Sequence, residues 1–223
     1  MLLSFMQVGL FVGKISIFIG LLVSLLILID FKKLPVFFRL LALFYIGSAS
    51  IDLINHSFAV SGLNNLLFVH LFTFIEFCTM TLFFREVSKM HNSRLNFELL
   101  IWPGLIFIIL NTLFIQGLDM FSSYSASMVA AMVIVLSVRF LYHTMDSEPS
   151  HQLTLSKKVI GLLLVYYSIS LVVITFSNEM LSIPREWQNG VWFIRGIVLL
   201  LFRVMIGIYY WQYFKHSNLL SAA

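Results

Sequence analysis

Seven stretches of mostly apolar residues follow one another along the chain, at 8–30, 36–57, 64–85, 97–117, 121–143, 157–177 and 190–214, with short polar segments between them. About 20 such residues in a helix cross a hydrocarbon core. In lipid, only a helix or a closed barrel satisfies every backbone amide internally. The predicted fold is therefore all-α: a polytopic membrane bundle of seven transmembrane helices forming a single domain over residues 1–223. The connections are short, so sequence neighbours should pack antiparallel. Pro35 suits the opening of the second span, where a missing amide donor is tolerated. Pro103, beside Gly104, falls in the first turns of the fourth span and predicts a kink there. Segments 144–156 and 178–189 read as the two main loops. Residues 1–13 carry no basic side chain, and no small-residue cleavage site follows. The first stretch is expected to stay as a helix and not to leave as a signal peptide.

Composition reinforces this picture. Apolar residues make up 60% of the chain and charged residues 11%, too few polar groups to cover an apolar interior of that size in water. The net charge of +4 does not form a phosphate-binding face, because the basic residues sit at the ends of the apolar runs. Lys32, Lys33, Arg85, Lys89, Arg94, Lys157, Lys158 and Lys215 fall on one set of connections, with Arg39 and Arg139 near the same side. The opposite set holds Arg185, with Lys14 nearby. The positive-inside rule then places the N-terminus outside and the C-terminus in the cytoplasm. Arg39, Arg139 and Lys14 are expected to snorkel toward headgroups. Trp187 and Trp192 on one side, and Tyr209, Tyr210, Trp211 and Tyr213 on the other, read as interface anchors. The expected partners are the lipid bilayer and a separate signalling or membrane protein, not nucleic acid. Cys78 is the sole cysteine, which excludes an intrachain disulfide and a thiolate zinc cluster. No cofactor and no metal is expected.

The candidate chemistry lies in polar residues placed where a charge costs about 2.5–3.5 kcal/mol. At about 1.5 Å per residue, Glu76 in the third span and Arg203 in the seventh reach similar mid-membrane depth, which suggests a central Glu76–Arg203 pair. Arg195 and His70 lie nearer the outer ends of their spans. Asp52 and His56 share a face of the second span at i, i+4, with Asn55 beside them. Together Asp52, Asn55, His56, His70 and Arg195 would form an outer polar layer, with Tyr166, Tyr167 and Asn111 completing the walls. The competing reading is purely architectural. A buried ion pair can merely fix helix register, Asp52, Asn55 and His56 can be a solvated helix end, and His70 can be a hydrogen-bonded packing residue. Gly47, Ser48, Ala49 and Ser50 read as a close helix contact.

Four functional classes remain: a sensor-like bundle with an outward pocket, a carrier that exchanges a proton at Glu76, an intramembrane metal hydrolase using Asp52, His56 and His70, and a non-catalytic membrane subunit. The seventh span has no lysine before Lys215, which excludes a retinal Schiff base of the microbial-rhodopsin kind. It has no histidine before His216, unlike the paired-histidine motif of ceramidase-like hydrolases. The Pro-Gln motif of seven-helix sugar carriers is absent. The stretch Asn64-Asn65-Leu66-Leu67-Phe68-Val69-His70-Leu71-Phe72-Thr73-Phe74-Ile75-Glu76-Phe77 resembles a segment of uncharacterised small seven-transmembrane proteins of bacteria. Such bundles are similar to the membrane-embedded sensory regions of histidine kinases. The resemblance covers the third span and, beyond it, only the architecture. It implies a sensor-like or accessory role in a bacterial inner membrane, without naming a ligand.

Overall fold

Long apolar runs, without water to bond their amides, wind into helices because the i→i−4 ladder pairs each amide within its own segment. The computed structural model describes residues 5–90, 96–148, 150–182 and 184–221. The helices are α1 (Phe5–Ile29), α2 (Val36–Val60), α3 (Leu66–Met90), α4 (Glu98–Leu110), α5 (Ser123–His143), α6 (His151–Thr175) and α7 (Arg185–Ser221). Among the described residues there is no strand, and seven helices are long and apolar enough to cross a membrane. Pro35 immediately precedes α2, and its carbonyl accepts the Arg39 amide at 3.0 Å.

Three boundaries depart from the hydropathy reading. First, α4 gives way after Leu110 to a π-turn over Asn111–Ile115, where the Gln116 amide bonds the Asn111 carbonyl at 2.9 Å. Second, α6 begins at His151 and not at 157, because Ser150 caps it: the Leu153 amide donates to Ser150 Oγ at 3.1 Å. Hydropathy reports solvent preference and not helicity, so a polar first turn reads as loop. Third, segment 178–189 is largely structured, as a short 3-10 turn (Glu179–Ser182) followed by the start of α7. Removing the Ser150 cap in Ser150→Ala should destabilise the fold by about 1 kcal/mol. Ser150→Asp should retain most of the stability, and thermal melts of the detergent-solubilised protein check both.

The helices close into a ring in the order α1, α2, α3, α5, α6, α7 and back to α1, and α4 packs on α3 from outside the ring. The contact between α3 and α4 depends on Gly104, where an added Cβ would run into the Phe77 ring. On the α1–α2 side, Gly20 lies so close to Ala49 that a Cβ there would sit 3.2 Å from the Ala49 methyl. Ala49 is fully buried, in keeping with the close contact read from residues 47–50.

The ring has two unlike ends. At the end holding Lys32, Lys33, Lys89, Lys157 and Lys158, the interior is filled by buried apolar side chains, among them Phe37, Phe38, Phe83, Phe84, Val87, Val133, Ile160 and Ile206. Phe37 and Phe38 lie 4.5 Å apart between ring centroids, and Phe83 and Phe84 meet edge to face at 5.2 Å. Arg39 reaches back toward this end, donating to the carbonyls of Leu34 and Lys32, each at 2.6 Å, and so fastens the α1–α2 turn. One expectation fails here. Tyr210 is no interface anchor, since it is buried and donates to the Phe38 carbonyl at 2.5 Å. Trp211, its neighbour, is exposed as an anchor requires. Arg94 and the side chain of Arg185, both used to assign orientation, lie outside the described residues.

Candidate ligand-binding site

At the other end of the ring, where α2, α4 and α6 finish, the interior is polar. Asp52 stands about two turns before the end of α2, and Glu76 just under three turns into α3. Tyr166, Tyr167 and Ser170 come from α6, and Arg195 from α7. These side chains converge on a cavity of about 110 Å³, whose wall also includes Ser48, Asn55, Thr73 and Phe121. A void far larger than the ~10–15 Å³ needed to seat one water has room for several waters or a small solute. It deepens from Asn55, Phe121 and Ile174 near the helix ends to Ser48, Glu76 and Tyr167. Beneath it the buried phenylalanines and aliphatic residues close the ring.

Arg203 is the most deeply committed charge, 1% exposed. One terminal nitrogen donates to the Ser16 carbonyl at 2.9 Å and to Ser16 Oγ at 3.0 Å on α1. The other donates to Ser48 Oγ at 3.2 Å and to the Asp52 carboxylate on α2. The Arg203 guanidinium thus ties α7, α1 and α2 together, and Gly20 on α1 leaves it room: a Cβ there would sit 3.2 Å from its Cζ and Nε. The expected Glu76–Arg203 pair is not formed. Side chains lean toward the N-terminus of their own helix, and α2 runs antiparallel to α7. Arg203 therefore leans toward the chamber and Asp52 leans down to meet it. Since α3 runs parallel to α7, Glu76 and Arg203 lean the same way and do not approach. The antiparallel partner of α3 across the chamber is α6, and Tyr167 on α6 donates to Glu76 Oε1 at 2.6 Å.

The outer layer is also revised. Asp52, Asn55 and Arg195 face the chamber, but His70 and His56 do not line it. The His70 ring bonds Thr112 Oγ1 and the Met120 carbonyl, both at 3.1 Å, so it fastens α3 to the α4–α5 segment. Asn111 is likewise engaged elsewhere, donating to Gln116 Oε1 at 2.9 Å and Ser125 Oγ at 2.8 Å. Gln116 and Asn178 extend that network through Ser123 Oγ, at 2.7 Å and 3.0 Å. The π-turn presents the Asn111 carboxamide to α5, which adds hydrogen bonds to the apolar packing that joins α4 to the ring. With His70 spent on packing, Asp52, His56 and His70 do not assemble a ligand set.

Tyr166 and Tyr167 do stand in the chamber wall as read from the sequence, with Tyr166 stacked on Phe202 at 4.5 Å. Hydropathy does not single out Thr73 and Ser170, which also line the chamber, because small hydroxyl residues are ordinary in transmembrane helices. Spacing carries the signal for both: Thr73 is three residues before Glu76, and Ser170 three after Tyr167, so each shares a helix face with a chamber residue. Arg195 stacks over Trp192, its Cζ 5.3 Å from the ring centroid. Among the described residues no carboxylate lies within ion-pair distance of Arg195. The chain matches no protein-family model, no curated protein and no solved structure.

Proposed function

We propose that the protein is a non-enzymatic, sensor-like or accessory membrane subunit that binds a small polar solute in the chamber. The observation that carries this reading is a void lined by charged and polar side chains, walled by five helices of a closed ring and blocked beneath by packed apolar side chains. Such a void is a dead-end pocket: a solute entering it contacts α2, α3, α6 and α7 together and biases how they pack. A carrier needs a site that reaches both faces in turn, and the aromatic packing under Glu76 disfavours that. The resemblance of the third span to uncharacterised bacterial seven-helix proteins, whose architecture is similar to that of sensory bundles, supports the same reading. The basic-end charges support an N-terminus outside and a chamber opening away from the cytoplasm of a bacterial inner membrane. Output from so loop-poor a chain would pass to a separate membrane protein.

Cysteine accessibility tests the proposal. In a Cys78→Ser background, Asn55→Cys, half-buried in the chamber wall, should be modified by a membrane-impermeant thiol reagent from the chamber side only, while Val133→Cys in the packed half resists it from both sides. Modification of Asn55→Cys from both faces would establish a carrier instead. Resistance from both faces would show a chamber cut off from solvent and overturn the sensor reading.

A further inference from the structure

Three charged side chains face the chamber from three helices: Asp52 on α2, Glu76 on α3 and Arg195 on α7. Asp52 is matched by Arg203. Glu76 accepts the Tyr167 hydroxyl, but a carboxylate offers about four lone-pair sites. Arg195 has five N–H donors and, among the described residues, no ion-pair partner. Two neutral groups in the same wall are also unspent: Asn55 Oδ1 and Ser170 Oγ are buried with no hydrogen-bond partner, and Ser170 as a whole is 1% exposed. A buried acceptor left open costs about 1–3 kcal/mol.

From this arrangement we infer that the chamber's ligand is a small zwitterion of amino-acid size, carrying one ammonium and one carboxylate group. The inference rests on the pocket reading above. The ligand carboxylate meets the Arg195 guanidinium, a donor set suited to planar oxyanions. The ammonium meets the Glu76 carboxylate. A simple anion would gain Arg195 but lie in a low-dielectric void against the Glu76 and Asp52 carboxylates. A simple cation would gain Glu76 but face Arg195. Only a molecule bearing both charges complements both walls, and about 110 Å³ suits a compact one.

The experiment is a thermal-shift titration of the full chain in lipid nanodiscs with four sets of probes: glycine, β-alanine and γ-aminobutyrate; acetate and propionate; methylamine and ethylamine; acetamide and ethylene glycol. At least one of the three zwitterions should raise the melting temperature in a concentration-dependent way, while its anionic and cationic halves do so at least tenfold more weakly. Arg195→Gln and Glu76→Gln should each weaken the zwitterion's apparent affinity at least tenfold. The proportion differs for the halves, since Arg195→Gln removes the carboxylate response and Glu76→Gln the amine response. A carboxylate as potent as any zwitterion, insensitive to Glu76→Gln, would overturn the zwitterion assignment while leaving the pocket intact. Equal potency of the neutral probes, or no response to any probe while Asn55→Cys still labels from one side, overturns it likewise. Loss of that labelling is the separate result that removes the pocket itself.

Discussion

Asp52→Asn should destabilise the bundle by about 3 kcal/mol, the lower part of the range for breaking a buried ion pair. The lower part applies because Asp52 is one-third exposed to the chamber, whereas Arg203 is 2% exposed in its side chain. The damage comes from what remains. Arg203 keeps its bonds to Ser16 and Ser48 but loses its counter-charge at a depth where a lone cation is costly. For a chain of this length the melting temperature should fall by roughly 6–12 °C. The control that separates a stranded charge from a lost contact is Asp52→Asn combined with Arg203→Met. Removing the buried cation as well should restore much of the stability, because a pair replaced by apolar groups is often close to neutral. A coupling energy of about 1 kcal/mol or more in this cycle is expected. Purely additive effects would mean that Asp52 and Arg203 act independently.

The second large effect is expected at Gly104. Gly104→Ala puts a methyl where the Phe77 ring sits, and Phe77 is buried. Overpacking of this kind costs about 1–3 kcal/mol. The strain falls on the least secured element, since α4 lies outside the ring and presents many of its side chains outward, Leu99, Trp102, Ile106 and Ile109 among them. Amide exchange should therefore rise across Glu98–Leu110 before it rises in the ring helices. Phe77→Leu should reduce the penalty of Gly104→Ala by freeing the space. The same cost in both backgrounds would show that the glycine serves the α4 backbone and not the packing.

These two sites separate what is legible in one dimension from what is not. The number of helices, their approximate spans and the crowding of basic residues at one end can be read directly, because bilayer thickness imposes a fixed length of apolar chain and water claims what lies between. The polar positions that matter were also largely visible: Asp52, Asn55, Glu76, Tyr166, Tyr167 and Arg195 all face the chamber. Their partnerships were not. Depth along a helix axis equates Glu76 and Arg203, yet it ignores the tilt of each side chain toward its helix start and the several ångströms an arginine can span. Helix direction would have favoured Asp52 for Arg203 and Tyr167 for Glu76.

Ring order lies beyond even that correction. Lipid solvates every apolar helix face about equally, so hydropathy does not say that α4 stands aside while α3 and α5 meet. That choice falls to local packing: Gly104 against Phe77, Gly20 against Ala49, and the Asn111–Gln116 network with its π-turn. The same packing removed His70 from the candidate site by giving both of its ring nitrogens partners on other segments. By itself, then, the sequence determined a seven-helix membrane protein with ionisable groups buried in it. Only the tertiary structure decided which of those groups neutralise one another and which are left facing a void, because charge pairing depends on the azimuth of each helix and on the lean of each side chain, and neither is written in the order of residues.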